Sequence, residues 1–115
     1  MDLEHACRRA AEAIFSADAL LIGAGAGMGV EWVPNRSEEQ KQRYRNWLGQ
    51  LAGKRLAIIE FGAGMSVPTV RWECESRVGQ FIRVNPRDTA APLGSIVLPL
   101  GALQAVRALE RNAAC

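Results

Sequence analysis

Two apolar runs constrain this chain more than anything else in it. Residues 19 to 22 (ALLI) run straight into Gly23, and residues 56 to 61 (LAIIEF) run straight into Gly62-Ala63-Gly64. A short, unbroken apolar run that ends at glycine is the pattern of a strand buried on both faces, as in a parallel sheet. Helical patterns stand before, between and after these runs. Strands that alternate with helices need crossover connections. The expected class is therefore α/β: a small Rossmann-like domain with a mainly parallel sheet of about four strands and helices on both faces.

The remaining elements follow from period and punctuation. Residues 2 to 16 predict a helix, with Asp2 as its cap and Leu3, Cys7, Ala10 and Ile14 as one apolar stripe. Residues 31 to 36 lack a period, contain Pro34 and Asn35, and predict a loop. Ser37-Glu38-Glu39-Gln40 fits a capping box that opens a second helix. Tyr44, Trp47, Leu48 and Leu51 share one face of it, and Gly53 is a plausible stop. Pro68 suits the first turn of a third helix with Val70 and Cys74 inward. Residues 80 to 84 (QFIRV) alternate as a half-covered or edge strand does, and Asn85-Pro86 ends them. Residues 95 to 98 predict a fourth strand. Residues 100 to 112 predict a last helix with Leu103, Val106 and Leu109 inward.

A chain of 115 residues suggests one domain spanning 1–115, able to bury roughly two thirds of its unfolded surface. The net charge of +2 gives no argument for nucleic acid. Among the 14 basic residues only Lys41 and Lys54 are lysines; the arginine bias suits fixed pairing with anions, and a genome-wide composition bias gives the same pattern. Cys7, Cys74 and Cys115 are far apart and form no CxxC pair, which excludes a zinc ribbon and fits a reducing compartment. The N-terminus has no apolar signal core, and the uncharged run from 19 to 30 is too short and glycine-rich to span a bilayer. The expectation is a soluble cytoplasmic protein with no membrane partner.

In parallel α/β sheets ligands sit beyond the C-terminal strand ends. There, backbone N–H groups approach phosphate oxygens most closely where no β-carbon intervenes, which favours glycine. The strict GxGxxG fingerprint is absent: its third glycine falls on Met28 from Gly23 and Gly25, and on Val30 from Gly25 and Gly27. Tight strand-to-helix turns account for the glycines equally well.

Four segments, in order, resemble the sirtuins, the NAD-dependent protein deacylases. ADALLIGAGAGMGV resembles their opening strand and GAG loop. LAIIEFGAGMSVPTVR resembles the later strand and loop that receive the ribose end of NAD, and is closer still to a bacterial sirtuin-like branch carrying GAG-x-x-x-PTVR. FIRVNP resembles the next strand, and PLGALQAV the closing turn and helix beside adenine. The resemblance implies phosphate contacts from Gly23, Ala24 and Gly25. It implies Gly62 and Gly64 near the nicotinamide-side ribose and phosphates, Asn85 on the adenosine ribose, and Gly101 and Ala102 against adenine. On the residues alone, Asn85 before Pro86 reads equally as ending a strand, and Gly101 as starting a helix.

The departures from that family bear on function. The Pro-Asp-Phe-Arg segment, the Asn-x-Asp motif, the catalytic histidine and the four-cysteine zinc module are missing. After Val30 the chain passes directly to EWVPNRSEEQKQRYRNWL, which resembles the late part of the family domain. This reads as a family sequence with its middle removed, joined near Val30 and Glu31. Deacylation of this type needs a general base. The only histidine is His5, read as a solvated residue of the first helix, and Asp18 precedes the first strand, at the end opposite the glycines. Glu60 is read as a carboxylate with a structural partner or one reaching a ribose hydroxyl, Cys74 as a small core residue, and Cys115 as a free terminal thiol. No catalytic residue or metal ligand is assigned. The expected function is a non-catalytic module binding NAD, ADP-ribose or a related nucleotide weakly. The alternatives are a deacylase component completed by a partner chain, and an assembly or structural remnant that self-associates through Trp32, Trp47, Trp72 and Tyr44. A truncated product without function is the fourth.

Overall fold

Helix α1 (Leu3–Ser16) begins where the Asp2 carboxylate accepts the His5 amide at 2.7 Å, closing one of the open donors of the first turn. A computed structural model describes residues 2–24, 34–62 and 69–113 of the chain. Within them α1 is followed by β1 (Ala19–Ala24), α2 (Pro34–Gly49), β2 (Leu56–Phe61), α3 (Thr69–Glu75), β3 (Gln80–Val84), β4 (Ile96–Leu98) and α4 (Ala102–Ala113).

The strands form one sheet in the order β1-β2-β3-β4, and every neighbouring pair is parallel. The connections through α2 and α3 advance the sheet in one direction, and both helices lie on the same face, as crossovers of one hand require. There Trp47 of α2, Leu51 just after it and Cys74 of α3 pack with Leu21, Leu56, Ile58 and Phe81. On the opposite face Ala6, Cys7, Ala10 and Ala11 of α1 and Ala105, Ala108 and Leu109 of α4 pack with Ile59, Ile82, Val84, Ile96 and Leu98. Consecutive residues such as Ile58 and Ile59 thus serve opposite layers, as the pleat requires. Ile58 and Ile82 lose all solvent contact, and each such burial contributes about 1.5–3 kcal/mol. The α/β class, the parallel sheet and the helices on both faces are as the sequence predicts.

Several local expectations are corrected. Pro34 to Arg36, expected in a loop, are the first turn of α2; proline's missing N–H is harmless at that position. The helix ends at Gly49, and Gly53, with φ of 76°, belongs to the turn that follows. β3 is an interior strand, not an edge: Phe81 to Val84 are all buried, and its polar member Arg83 is paired inside the protein. Leu103 and Val106, expected inward on α4, are 63% and 45% exposed. Leu109 points inward as expected, and Ala105 and Ala108 take the place of the other two, because α4 lies against the alanine-rich face of α1 and small side chains on both helices permit close approach. Leu3 is likewise exposed, and the buried face of α1 runs through Ala6, Cys7, Ala10 and Ala11. Pro68 and the junction at Val30 and Glu31 lie outside the described residues.

Candidate functional site

The parallel register sets the geometry of the candidate site. Gly23 and Ala24 pair with Glu60 and Phe61, Phe61 pairs with Val84, and Val84 pairs with Leu98. The C-terminal ends of all four strands therefore lie along one rim. Gly23, Ala24, Gly62, Asn85, Gly101 and Ala102 are at or just beyond these ends, on that rim. Gly25 and Gly64 lie outside the described residues.

Three of these positions already have local structural work. Gly62 adopts φ of 59°, a left-handed conformation that favours glycine, and its N–H donates to the Val84 carbonyl at 2.9 Å. Asn85 is buried, and its Oδ1 accepts the amides of Arg87 and Asp88, both at 2.9 Å, which makes the turn that ends β3. Gly101 precedes α4; its carbonyl accepts the Ala105 amide at 3.0 Å, and its N–H donates to Gln104 Oε1 at 3.4 Å. Ala102 is the exposed first residue of that helix.

The strand order never reverses, so the crevice that forms in doubly wound sheets where successive helices part to opposite faces is not generated between these strands. β1 is instead an outer strand of the sheet.

A cavity of about 270 Å³ adjoins the first glycine end, lined by Leu21, Gly23, Ala24, Tyr44, Glu73 and Cys74. In the sequence Tyr44 belongs to an apolar face and Glu73 carries no functional signature. In the structure the Tyr44 hydroxyl donates to Glu73 Oε1 at 2.8 Å, and Arg77 Nε donates to the same oxygen at 2.7 Å. The Glu73–Arg77 spacing of four on one helical ridge was the available signal. Burial, with the Glu73 hydrogen bond adding to it, pushes Tyr44 up to about 12, and burial with the Glu60 charge pushes Cys74 up to about 11. Both groups hold their protons more firmly than usual, so Tyr44 and Cys74 enter the cavity as a neutral phenol and thiol beside the Glu73 carboxylate. A larger hollow of about 710 Å³ lies between α1 and α4, lined among others by Leu3, Glu4, Cys7, Gln104 and Arg111. Neither hollow is lined by both Gly23 and Gly62.

Glu60 has a structural partner. Its carboxylate accepts Arg83 Nε at 3.1 Å and Nη2 at 2.9 Å, and both residues are without solvent contact. Cys74 is a buried core residue, and Asp18 sits at the start of β1, bound to the Arg55 amide at 2.8 Å. His5 is exposed on the first turn of α1. Among the described residues no group of three or more His, Cys, Asp or Glu side chains is placed to hold a metal ion, and no helix is long and apolar enough to cross a membrane. Comparison with protein-family models, with curated proteins and with solved structures gives no match.

Proposed function

We propose that the chain is a non-catalytic nucleotide-binding module for NAD, ADP-ribose or a related dinucleotide fragment. The observation that carries this reading is the common rim: Gly23-Ala24, Gly62, Asn85 and Gly101-Ala102 come from four successive connections and line one side of one parallel sheet. Ligands of parallel α/β sheets lie beyond that side, and the sirtuin-like segments put the same residues on the cofactor. The α4 N-terminus adds a positive dipole end to the rim. The Gly62 amide is already committed to the Val84 carbonyl, so on this reading phosphate recognition falls mainly on Gly23 and Ala24. Binding is weak on this reading, because a rim without a reversal crevice buries little ligand surface. Calorimetric titration with NAD and with ADP-ribose tests it. Saturable heat that ADP-ribose reproduces supports it; no heat at millimolar ligand removes it.

A further inference from the structure

We propose that the outer edge of β1 is the interface of a symmetric homodimer, in which two copies of Ala19–Ala24 pair antiparallel and join two four-stranded sheets into one of eight strands. This inference does not rest on nucleotide binding. β1 pairs with β2 on one side only, and no other described strand takes its outer edge. The N–H and C=O groups along that edge, which no described strand takes up, are a template for another strand. Natural edges are protected by charge, proline, bulges or shortness, and β1 has none of these: ALLIGA carries no charge and no proline over six residues. The opposite edge shows the contrast. β4 is three residues long, bracketed by Pro92 and Pro99, and both Ile96 and Leu98 are buried.

The side chains of β1 point the same way. On the face shared with α1 and α4, the core residues of β2, β3 and β4 are at most 3% exposed, whereas Leu20 and Ile22 are 37% and 61% exposed. Phe15, four residues before the strand, is also exposed. A second copy satisfies this pattern by symmetry. With the two-fold axis perpendicular to the sheet and passing beside Leu21, Leu20 opposes the second copy's Ile22 and Ile22 opposes the second copy's Leu20, on the same face. The uncharged strand gives a different protein nothing to select by charge, while self-pairing places apolar on apolar at both positions. The edge is only about 20 Å long, shorter than the patch of a tight permanent dimer, so the association is reversible.

Sedimentation velocity from micromolar to millimolar protein tests this, with thermal melts confirming the fold of each variant. The wild type is expected to shift from monomer to dimer across the range. Ile22→Lys alters an exposed side chain and weakens the dimer by about tenfold or more. An equimolar mixture of Leu20→Glu with Ile22→Lys pairs opposite charges across the proposed register and recovers association that neither variant shows alone. Trp72→Ser, on the other face of the sheet, leaves the dimer intact. If Ile22→Lys fails to fold, concentration-dependent hydrogen-exchange protection of the Ala19–Ala24 amides in the wild type is the readout. A wild type that stays monomeric at millimolar concentration, a dimer that survives Ile22→Lys, one that Trp72→Ser abolishes, or amides whose exchange ignores concentration would each overturn the proposal.

Discussion

Glu60 and Arg83 are direct neighbours across β2 and β3, and they meet in a two-point ion pair from which solvent is fully excluded. Arg83 also donates from Nη2 to Glu75 of α3 at 3.0 Å and from Nη1 to the Ala90 carbonyl, and its guanidinium lies 4.9 Å from the Phe81 ring centroid. Burial works against the arginine's charge, but the bonds to Glu60 and Glu75 outweigh it and hold its proton more firmly. One side chain thus ties two strands, a helix and the β3–β4 connection together close to the rim.

Arg83→Met is expected to cost about 3–5 kcal/mol, because it leaves the Glu60 carboxylate buried without a counter-charge. The double variant Glu60→Leu/Arg83→Met is expected to recover most of that loss, since Glu75 is partly exposed and can turn to water. Urea unfolding of the two variants measures the difference. An Arg83→Met chain as stable as the wild type would show that the pair holds nothing in place.

Cys74 predicts an alkaline limb. Burial raises its thiol from the ordinary 9 to about 11, so the folded state holds this proton more tightly than the unfolded state. Below pH 9 both states are protonated and the contribution is fully present; between about 9 and 11 the unfolded thiol ionises first, and stability falls as pH rises. Cys74→Ala is expected to be less stable at neutral pH, from the cavity it leaves, yet to lose less stability over that alkaline interval. Urea midpoints against pH give both slopes, and parallel slopes would contradict this account.

Gly79 and Gly49 predict opposite outcomes for the same substitution. A β-carbon on Gly79 would lie 2.4 Å from the Leu56 carbonyl oxygen, a backbone atom that cannot move aside without disturbing the start of β2. Gly79→Ala is expected to destabilise by about 1–3 kcal/mol. A β-carbon on Gly49, at the end of α2, meets nothing within 4 Å. Gly49→Ala is expected to be neutral or to stabilise by up to about 1 kcal/mol through helix propensity. Thermal melts of the pair separate the two cases by sign.

LAIIEF was legible because a run buried on both faces shows in local composition; ALLI reads the same way and is a strand, but it is not buried on both faces, since Leu20 and Ile22 are 37% and 61% exposed at the sheet's outer edge. What stayed hidden depended on distant neighbours. Arg83 makes QFIRV read as half-solvated, yet its partner Glu60 lies 23 residues away on the next strand. On α4 the larger Leu103 and Val106 outweigh alanine in any apolar stripe, but the alanine face of α1 selects Ala105 and Ala108. The common rim of the glycines follows from parallel strands alone. That β1 lies outermost does not, because the same alternation of helices and strands is compatible with an order that reverses. Gly62 and Asn85 read as ligand positions in sequence, and only the structure shows the Val84 and turn hydrogen bonds that already occupy them.

Asn85 separates turn formation from ligand contact. The turn uses only Oδ1, as acceptor for Arg87 and Asp88. Asn85→Asp keeps an acceptor oxygen in place and is expected to change stability by less than about 1 kcal/mol, whereas Asn85→Ala leaves two amides without their partner and costs about 1–3 kcal/mol. If the Nδ2 group meets a ribose hydroxyl beside a phosphate, Asn85→Asp removes that donor and adds a negative charge, and NAD affinity falls about tenfold with the fold intact. Calorimetric titration of the stable Asp variant reads this directly. Unchanged affinity there would confine Asn85 to ending β3 and move the ribose contact elsewhere on the rim.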